Sequence, residues 1–252
     1  MKCAVCGQPM QGKFCKRCSF SYDNFKDEYI KNDFRDYNLF NLIMKNIKGK
    51  SVLDIGCGGG YLIRLLNKRG MKTFGLEIDK DSADHARAIN PDSEIYNESA
   101  ENIGKLLKEN VDSAVMIDVL EHIEDDYKVV SDLGNIINEK GQLIIVVPCF
   151  RFLYGKRDIL AGHKRRYTSK MLRKILLKNG FNIKRMRYWN MMGFFPYLIS
   201  EKIMKRSLKA GFRSDKTSFL NNMLNIWFKN VENNINFGFG LSILCVAEKK
   251  QD

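Results

Sequence analysis

Apolar and polar positions along this chain follow two alternating rhythms. Short apolar runs at residues 51–55, 71–77, 93–97, 112–117, 142–147 and 181–189 read as strands. Between them, apolar residues recur every three to four positions, as they do on a helix with one buried face. Phe34, Tyr37, Leu39, Phe40, Ile43, Met44 and Ile47 predict a helix over residues 33–48. Further helices are expected over 60–69, over 81–89 with Pro91 ending it, from Asp125 to about Asn138 with Gly141 behind it, and from Thr168 or Ser169 to Gly180. Such a βαβα series predicts an α/β fold with a parallel sheet covered by helices on both faces. Residues 190–236 break the series with two apolar patches, 191–199 and 219–228, separated by the basic stretch 202–216. A helical lid inserted before a closing strand over 237–248 is the expected arrangement.

The first strand runs straight into Asp54-Ile-Gly56-Cys57-Gly58-Gly-Gly60. Glycines where a buried strand turns into a helix let backbone lie against a bulky cofactor. A dinucleotide fingerprint would place its third glycine where Tyr61 stands, so the spacing argues against NAD and toward S-adenosylmethionine. Glu77 closes the next apolar run about 20 residues on, the spacing of a carboxylate that accepts from both ribose hydroxyls. Asp79, ahead of Lys80-Asp81-Ser82, reads equally well as a helix N-cap.

The 252 residues suit one α/β domain over 30–252 with small attachments, and leave no room for a second large domain. The N-terminus lacks the organisation of a signal peptide and no uncharged apolar run reaches 18 residues, so a soluble, cytoplasmic protein is expected. The net charge of +13 is unevenly placed: residues 1–150 carry 20 Lys/Arg against 23 Asp/Glu, whereas residues 151–252 carry 22 against 6. Such a field favours an anionic partner, whether a nucleic acid, a phosphorylated acceptor or an anionic membrane surface.

Four of the seven cysteines form Cys3-x2-Cys6-x8-Cys15-x2-Cys18, the spacing of a tetrahedral zinc ribbon over residues 1–22. Four thiolates leave no open coordination position, so this zinc is expected to hold shape and not to activate water or substrate. Cys57, Cys149 and Cys245 lie in apolar segments like ordinary buried thiols.

Taken together, Val52-Leu-Asp54-Ile-Gly56-Cys-Gly58-Gly-Gly60, Gly75-Leu-Glu77-Ile-Asp79, Ser99-Ala100-Glu101 and Asp118-Val-Leu-Glu121-His122 resemble the class I S-adenosylmethionine-dependent methyltransferases. The resemblance implies a Rossmann-like sheet of seven strands, the last antiparallel. It implies S-adenosylmethionine contacts at Asp54, Gly56, Cys57, Gly58 and Gly60, at Glu77 and Ile78 by the ribose, at Ser99 and Ala100 by the adenine, and at Asp118 and Val119 by the methyl donor. Asp118, Glu121 and His122 are also similar to the acidic-x-x-Glu-His segment of ubiquinone-biosynthetic O-methyltransferases, where a divalent metal near the acceptor is implied.

On the acceptor side, Asp158-Ile-Leu-Ala-Gly162-His163-Lys-Arg165-Arg166-Tyr167-Thr168 follows the fifth strand, at the carboxyl edge where α/β sheets hold ligands. It resembles a methyltransferase subgroup with a Gly-His-x-Arg-Arg-Tyr segment, which implies sugar or lipid-linked acceptors. His163 is a candidate general base with His122 as its rival, Arg165 or Arg166 a grip for phosphate or carboxylate, and Tyr167 a further catalytic candidate. The leading expectation is O-methylation of a small-molecule, sugar or lipid-linked acceptor, anionic in character, with peripheral membrane contact. The alternative is an RNA methyltransferase whose zinc ribbon and basic C-terminal half bind phosphates.

Overall fold

The computed structural model describes residues 34–107, 109–203 and 219–251. The expected zinc ribbon, with Cys3, Cys6, Cys15 and Cys18, lies outside the described residues.

Seven strands form one sheet: β1 Ser51–Ile55, β2 Lys72–Leu76, β3 Glu94–Tyr96, β4 Val111–Ile117, β5 Ile137–Pro148, β6 Phe181–Trp189 and β7 Ser242–Lys249. Their order is β3-β2-β1-β4-β5-β7-β6. The last strand, β7, inserts antiparallel between β5 and β6, whereas β1 to β5 pair in parallel. Because successive side chains of a strand point to opposite faces, one run feeds two cores. Leu143, Ile145 and Val147 of β5 join Leu53, Ala114, Met116 and Ile243 on one face. Ile144 and Val146 join Val52, Val115 and Leu244 on the other.

The helices are α1 Phe34–Met44, α2 Tyr61–Asn67, α3 Lys80–Ile89, α4 Asp126–Ile136, α5 Lys156–Ala161, α6 Ser169–Lys178, α7 Met191–Leu198 and α8 Phe219–Trp227. Three begin as their sequences dictate: Asp79 accepts from the Ser82 amide, Asp125 from the Lys128 amide and Thr168 from the Met171 amide. Leu133 and Val129 of α4 and Leu172 and Leu176 of α6 fill the first core, and Leu39, Ile43, Leu62 and Leu66 of α1 and α2 fill the second.

Two boundaries differ from those the sequence predicts. The helix α4 stops at Ile136, and Gly141 lies inside β5, which starts at Ile137 and pairs it with Val111. The register then shifts between Val111 and Ser113, and a Cβ on Gly141 would lie 2.8 Å from the Asp112 carbonyl oxygen. Glycine there serves close backbone approach in an irregular pair and does not stop the helix. The closing strand starts at Ser242, five residues later than expected, because the preceding segment lies flat on β6, where a Cβ on Gly240 would come 2.4 Å from the Trp189 carbonyl oxygen.

Between β6 and β7 lie α7, α8 and two single π turns, Ile199–Ile203 and Phe228–Glu232. The buried Arg187 guanidinium of β6 ties down the returning chain by donating to the carbonyls of Asn233 at 2.9 Å, Ile235 at 2.6 Å and Glu232. Asn233 reinforces the closure, accepting from the Trp189 indole at 3.0 Å and donating to the Asn38 carbonyl of α1 at 3.0 Å.

Asp112 stitches the base of the sheet. Its carboxylate accepts from the amides of Lys50 at 2.7 Å and Ser51 at 3.1 Å and from the Asn138 side chain at 2.9 Å. The Lys50 amide foremost, against the opposing effect of burial, holds this carboxyl below the usual carboxylate range. A depressed acid contributes stability above its unfolded pKa, about 4, and loses it as the pH falls further. Asp112→Ala is therefore expected to cost about 1–3 kcal/mol at pH 7 in urea unfolding, with the gap to wild type shrinking as the pH is lowered from 5 toward 3.

Candidate functional site

The carboxyl ends of β1, β4 and β5 open onto one edge, and each strand leaves it through a residue in left-handed backbone: Gly56 at φ +70°, Asp118 at +51° and Phe150 at +63°. Only glycine fits at the first of these exits. A Cβ on Gly56 would lie 2.3 Å from Cγ2 of Val119, so the turns after β1 and β4 interlock. Gly58, at φ +52°, faces open space on its side-chain side, whereas a Cβ on Gly60 would lie 2.6 Å from Nδ2 of Asn90. The loop therefore closes against the protein at both ends and presents bare backbone in its middle.

Glu77, just past β2, faces this loop. One carboxylate oxygen accepts from the Gly58 amide at 2.8 Å and the other from the Asp79 amide at 2.9 Å. Asn97, which the sequence reading did not single out, donates to the carbonyls of Glu77 and Ile78 and fixes their backbone. Ile78 is 72% exposed, an apolar ledge beside a carboxylate. Asp54 is buried beneath the loop, and burial first and the Glu77 charge second push its pKa up to about 8. Cys57 is buried, and burial raises its thiol. These residues fit a nucleoside cofactor: a bare backbone cradle, an acceptor for hydroxyls and an uncovered apolar face. Asp79 is the N-cap of α3. The Ser99 hydroxyl likewise caps a short 3₁₀ turn that starts at Ala100, accepting from the Glu101 amide at 3.3 Å.

Across the cleft, Asp118 pairs with Arg35 of α1 at 2.9 Å. The turn behind it carries Glu121 and His122. Glu121 is 0% exposed, and neither of its carboxylate oxygens has a hydrogen-bond partner among the described residues. Burial first and the Asp118 charge second push its carboxyl well above the usual range. His122 is exposed as a residue, but its ring is partly desolvated where it meets the His163 ring edge-on at 4.7 Å; this desolvation first and the His163 charge second lower its pKa.

His163 reaches this point because α5 ends in Gly162 at φ +78°, which folds the chain back so that the His163 amide donates to the Asp158 carbonyl at 2.9 Å. The same turn places the His163 ring on Asp158, with Nδ1 at 2.9 Å from Oδ1, and leaves Nε2 3.8 Å from Glu121. Asp158 is nearly inaccessible and also accepts from the Gly155 amide at 2.9 Å, Nε of Arg166 at 2.9 Å and the Tyr197 hydroxyl at 3.1 Å. Burial raises its pKa, but these donors outweigh it and hold the carboxyl well below the usual range.

Arg166 was expected to grip an anion, yet its guanidinium is buried and engaged by Asp158, by the Cys149 carbonyl at 3.1 Å and by the Tyr197 hydroxyl at 2.6 Å. Tyr167 was expected to act in catalysis, yet it is fully buried and donates to the Leu120 carbonyl at 3.1 Å and to Asp126 at 2.8 Å. Both side chains hold the segment to the ends of β4 and β5, and neither opens onto the cleft. The Lys164 amide, donating to the Glu121 carbonyl at 2.8 Å, completes this lacing. The sequence places Asp158 in the acceptor-side segment but gives it no role, and Tyr197 and Arg35 go unnoticed because each meets its partner through the fold. The one local signal was an acidic residue five positions before His163.

A divalent metal, implied by the likeness at Asp118, Glu121 and His122, fits part of that set. Glu121 is an orphaned buried carboxylate, and one ligand atom from each of Glu121, His122 and His163 lies within 4.8 Å of the other two.

Comparison with known proteins agrees with this geometry. A family model described as a methyltransferase domain matches residues 27–212. A ubiquinone biosynthesis O-methyltransferase of Aliivibrio fischeri is 28% identical over 110 residues, 41% of this chain and 47% of the relative. A probable S-adenosylmethionine-dependent methyltransferase of Mycolicibacterium smegmatis is 27% identical over 138 residues, 54% of this chain and 53% of the relative. The chain thus spans about half the length of these curated relatives. Among solved structures, an S-adenosylmethionine-dependent methyltransferase from Archaeoglobus fulgidus aligns with TM-score 0.59 at 19% identity, covering 92% of this chain and 99% of that one. The magnesium protoporphyrin IX methyltransferase of Synechocystis PCC 6803 with bound S-adenosylmethionine aligns with TM-score 0.53 at 16% identity, covering 93% and 90%. These likenesses show the shared fold, and the match over most of the sequence shows that the chain belongs to the methyltransferase domain family.

Proposed function

We propose that this protein is an S-adenosylmethionine-dependent methyltransferase that methylates a hydroxyl of a small-molecule, sugar or lipid-linked acceptor. One observation carries the reading: a bare glycine loop with Glu77 and Ile78 faces, across the same sheet edge, an imidazole pair set beside a buried carboxyl. The likeness to the O-methyltransferase of Aliivibrio fischeri supports transfer to oxygen.

S-adenosylmethionine supplies a methyl group made electrophilic by its sulfonium. The protein's task is then to orient the acceptor, exclude water and take the hydroxyl proton. Glu77, with Asn97 fixing its backbone, serves the ribose, and Ile78 offers a face to the adenine. His122, whose lowered pKa favours the neutral imidazole, offers a ring nitrogen to take the acceptor proton. Asp158 holds His163 in a fixed orientation beside it. From their spacing alone, Cys3, Cys6, Cys15 and Cys18 are assigned to a zinc that holds shape and takes no part in the transfer.

A lipid-linked or membrane-associated acceptor is supported by the surface near this cleft. Met192, Phe195 and Ile199 lie on one face of α7 and its continuing π turn, and all are exposed. Phe152 and, on α5, Leu160 at 81% are exposed as well. Lys156 and Arg157 on α5 add positive charge, so apolar and cationic groups occur together as they do on a membrane-contacting face. Among the described residues no helix is long and apolar enough to cross a membrane.

Calorimetry is expected to show one S-adenosylmethionine bound per chain, with Glu77→Ala weakening it at least tenfold; absence of binding by the wild type would overturn the enzymatic reading. His163→Ala is expected to reduce methyl transfer to phenolic or polyprenyl-linked hydroxyl acceptors by about 10²-fold or more while leaving cofactor affinity within about threefold; an unchanged rate would remove His163 from the mechanism. Transfer to a lipid-linked acceptor should rise when anionic vesicles are present. Labelled methyl transfer to RNA, with affinity falling steeply as salt rises, would instead favour a nucleic-acid substrate.

A further inference from the structure

Glu121 poses the sharpest question in the described structure. A fully buried carboxylate without a hydrogen bond is costly, and the nearest group able to carry positive charge, Nε2 of His163 at 3.8 Å, stands beyond hydrogen-bonding distance. Among the described residues no donor reaches the carboxylate oxygens in hydrogen-bonding geometry, and the residue's own amide, which favours the charge, does not offset burial.

We propose that Glu121, His122 and His163 together hold one divalent transition-metal cation, with His163 as the third ligand in place of Asp118. The three ligand atoms already lie within 4.8 Å of one another. Metal bonds of about 2.0–2.2 Å require ligand atoms roughly 3–3.5 Å apart, so the set has to contract by about an ångström. His122, exposed on a short 3₁₀ turn and held by the Gly162 backbone and the edge of the His163 ring, supplies much of that movement by turning away from Gly162.

Two features single out His163. Its Nδ1 is committed to Asp158, which leaves the Nε2 lone pair directed at Glu121; a carboxylate behind a ligating imidazole fixes both its tautomer and its angle. Asp158 in turn is held by Arg166, Tyr197 and the Gly155 amide, so the support is rigid. Asp118, the residue that the likeness to the acidic-x-x-Glu-His segment would recruit, is instead paired with Arg35 at 2.9 Å and falls outside the cluster.

Two imidazoles and one carboxylate suit first-row transition cations over magnesium or calcium, and three protein ligands leave coordination positions open. A cation there would lower the pKa of a bound acceptor hydroxyl. That use rests on the proposed O-methylation and shifts proton loss from the bare imidazole pair to a metal-assisted step, whereas the cation site itself rests on these residues alone.

The test is titration of the full chain with Mn²⁺, followed by the electron paramagnetic resonance signal of the free ion and without S-adenosylmethionine. Manganese is chosen because the N-terminal thiolates favour softer metals. One Mn²⁺ is expected per chain. Glu121→Gln and His163→Ala should each weaken it at least tenfold, Asp158→Asn about 10- to 100-fold, and Asp118→Asn less than threefold. Should either ligand variant fail to fold by thermal melting, the exposed His122→Ala carries the same tenfold expectation. Absence of Mn²⁺ binding by the wild type at millimolar concentration, equal affinity in the ligand variants, or a loss in Asp118→Asn matching that of His163→Ala would overturn the site. Mn²⁺ binding that persists in a protein unable to bind S-adenosylmethionine would sink the methyltransferase reading and leave the metal site standing.

Discussion

Parallel strands must all leave the sheet at the same edge, and this crowding governs the rest of the molecule. Gly56, Asp118, Phe150 and, after β6, Asn190 each make the exit with positive φ. For the three residues that are not glycine, that conformation costs of order 1–3 kcal/mol apiece. Each is held by its surroundings. The Asp118 amide donates to the Val146 carbonyl, the Phe150 amide donates to the Tyr167 carbonyl, and the Asn190 side chain accepts from Gly193 to start α7. Sharp exits shorten the loops and aim the residues that follow them at a common space. Glu121, His122 and the segment from Asp158 to Tyr167 meet there as a result.

Charge is managed very differently on the two sides of this space. Near the cofactor loop, Asp54 is buried with Glu77 nearby and has its pKa raised. Across this space, Asp158 is also inaccessible to solvent but surrounded by donors, and its pKa is lowered. Burial acts upward on both carboxyls, so the difference lies in the donors the chain places around each. A carboxyl with a raised pKa responds to an arriving cationic ligand, whereas one saturated with donors serves as fixed scaffolding.

Much of this was legible in the residues themselves. The strand and helix series, the glycine loop, the N-cap role of Asp79 and the late antiparallel strand all follow from local spacing or from a resemblance carried by contiguous motifs. What could not be read is whatever depends on distant residues meeting. Arg35 and Asp118 are 83 positions apart, and Tyr197 reaches Asp158 across 39. Arg166 illustrates the difficulty most clearly. An arginine after a histidine, in a strongly basic half of the chain, has the appearance of a surface charge, and only the fold reveals the carboxylate, carbonyl and hydroxyl that surround it. The boundary at Gly141 failed for a related reason, since a glycine that ends a helix and one that admits a neighbouring backbone look identical in a sequence.

The turn at Gly162 makes the Asp158 and His163 pair a self-contained unit. Carboxylate, reversing glycine and imidazole lie within six consecutive residues, and the bonds that orient the ring are made inside that stretch. Its outer supports, Tyr197 of α7 and Arg166, come from elsewhere in the chain. Such a division lets the surrounding walls change in size and polarity over evolutionary time while the imidazole keeps its aim.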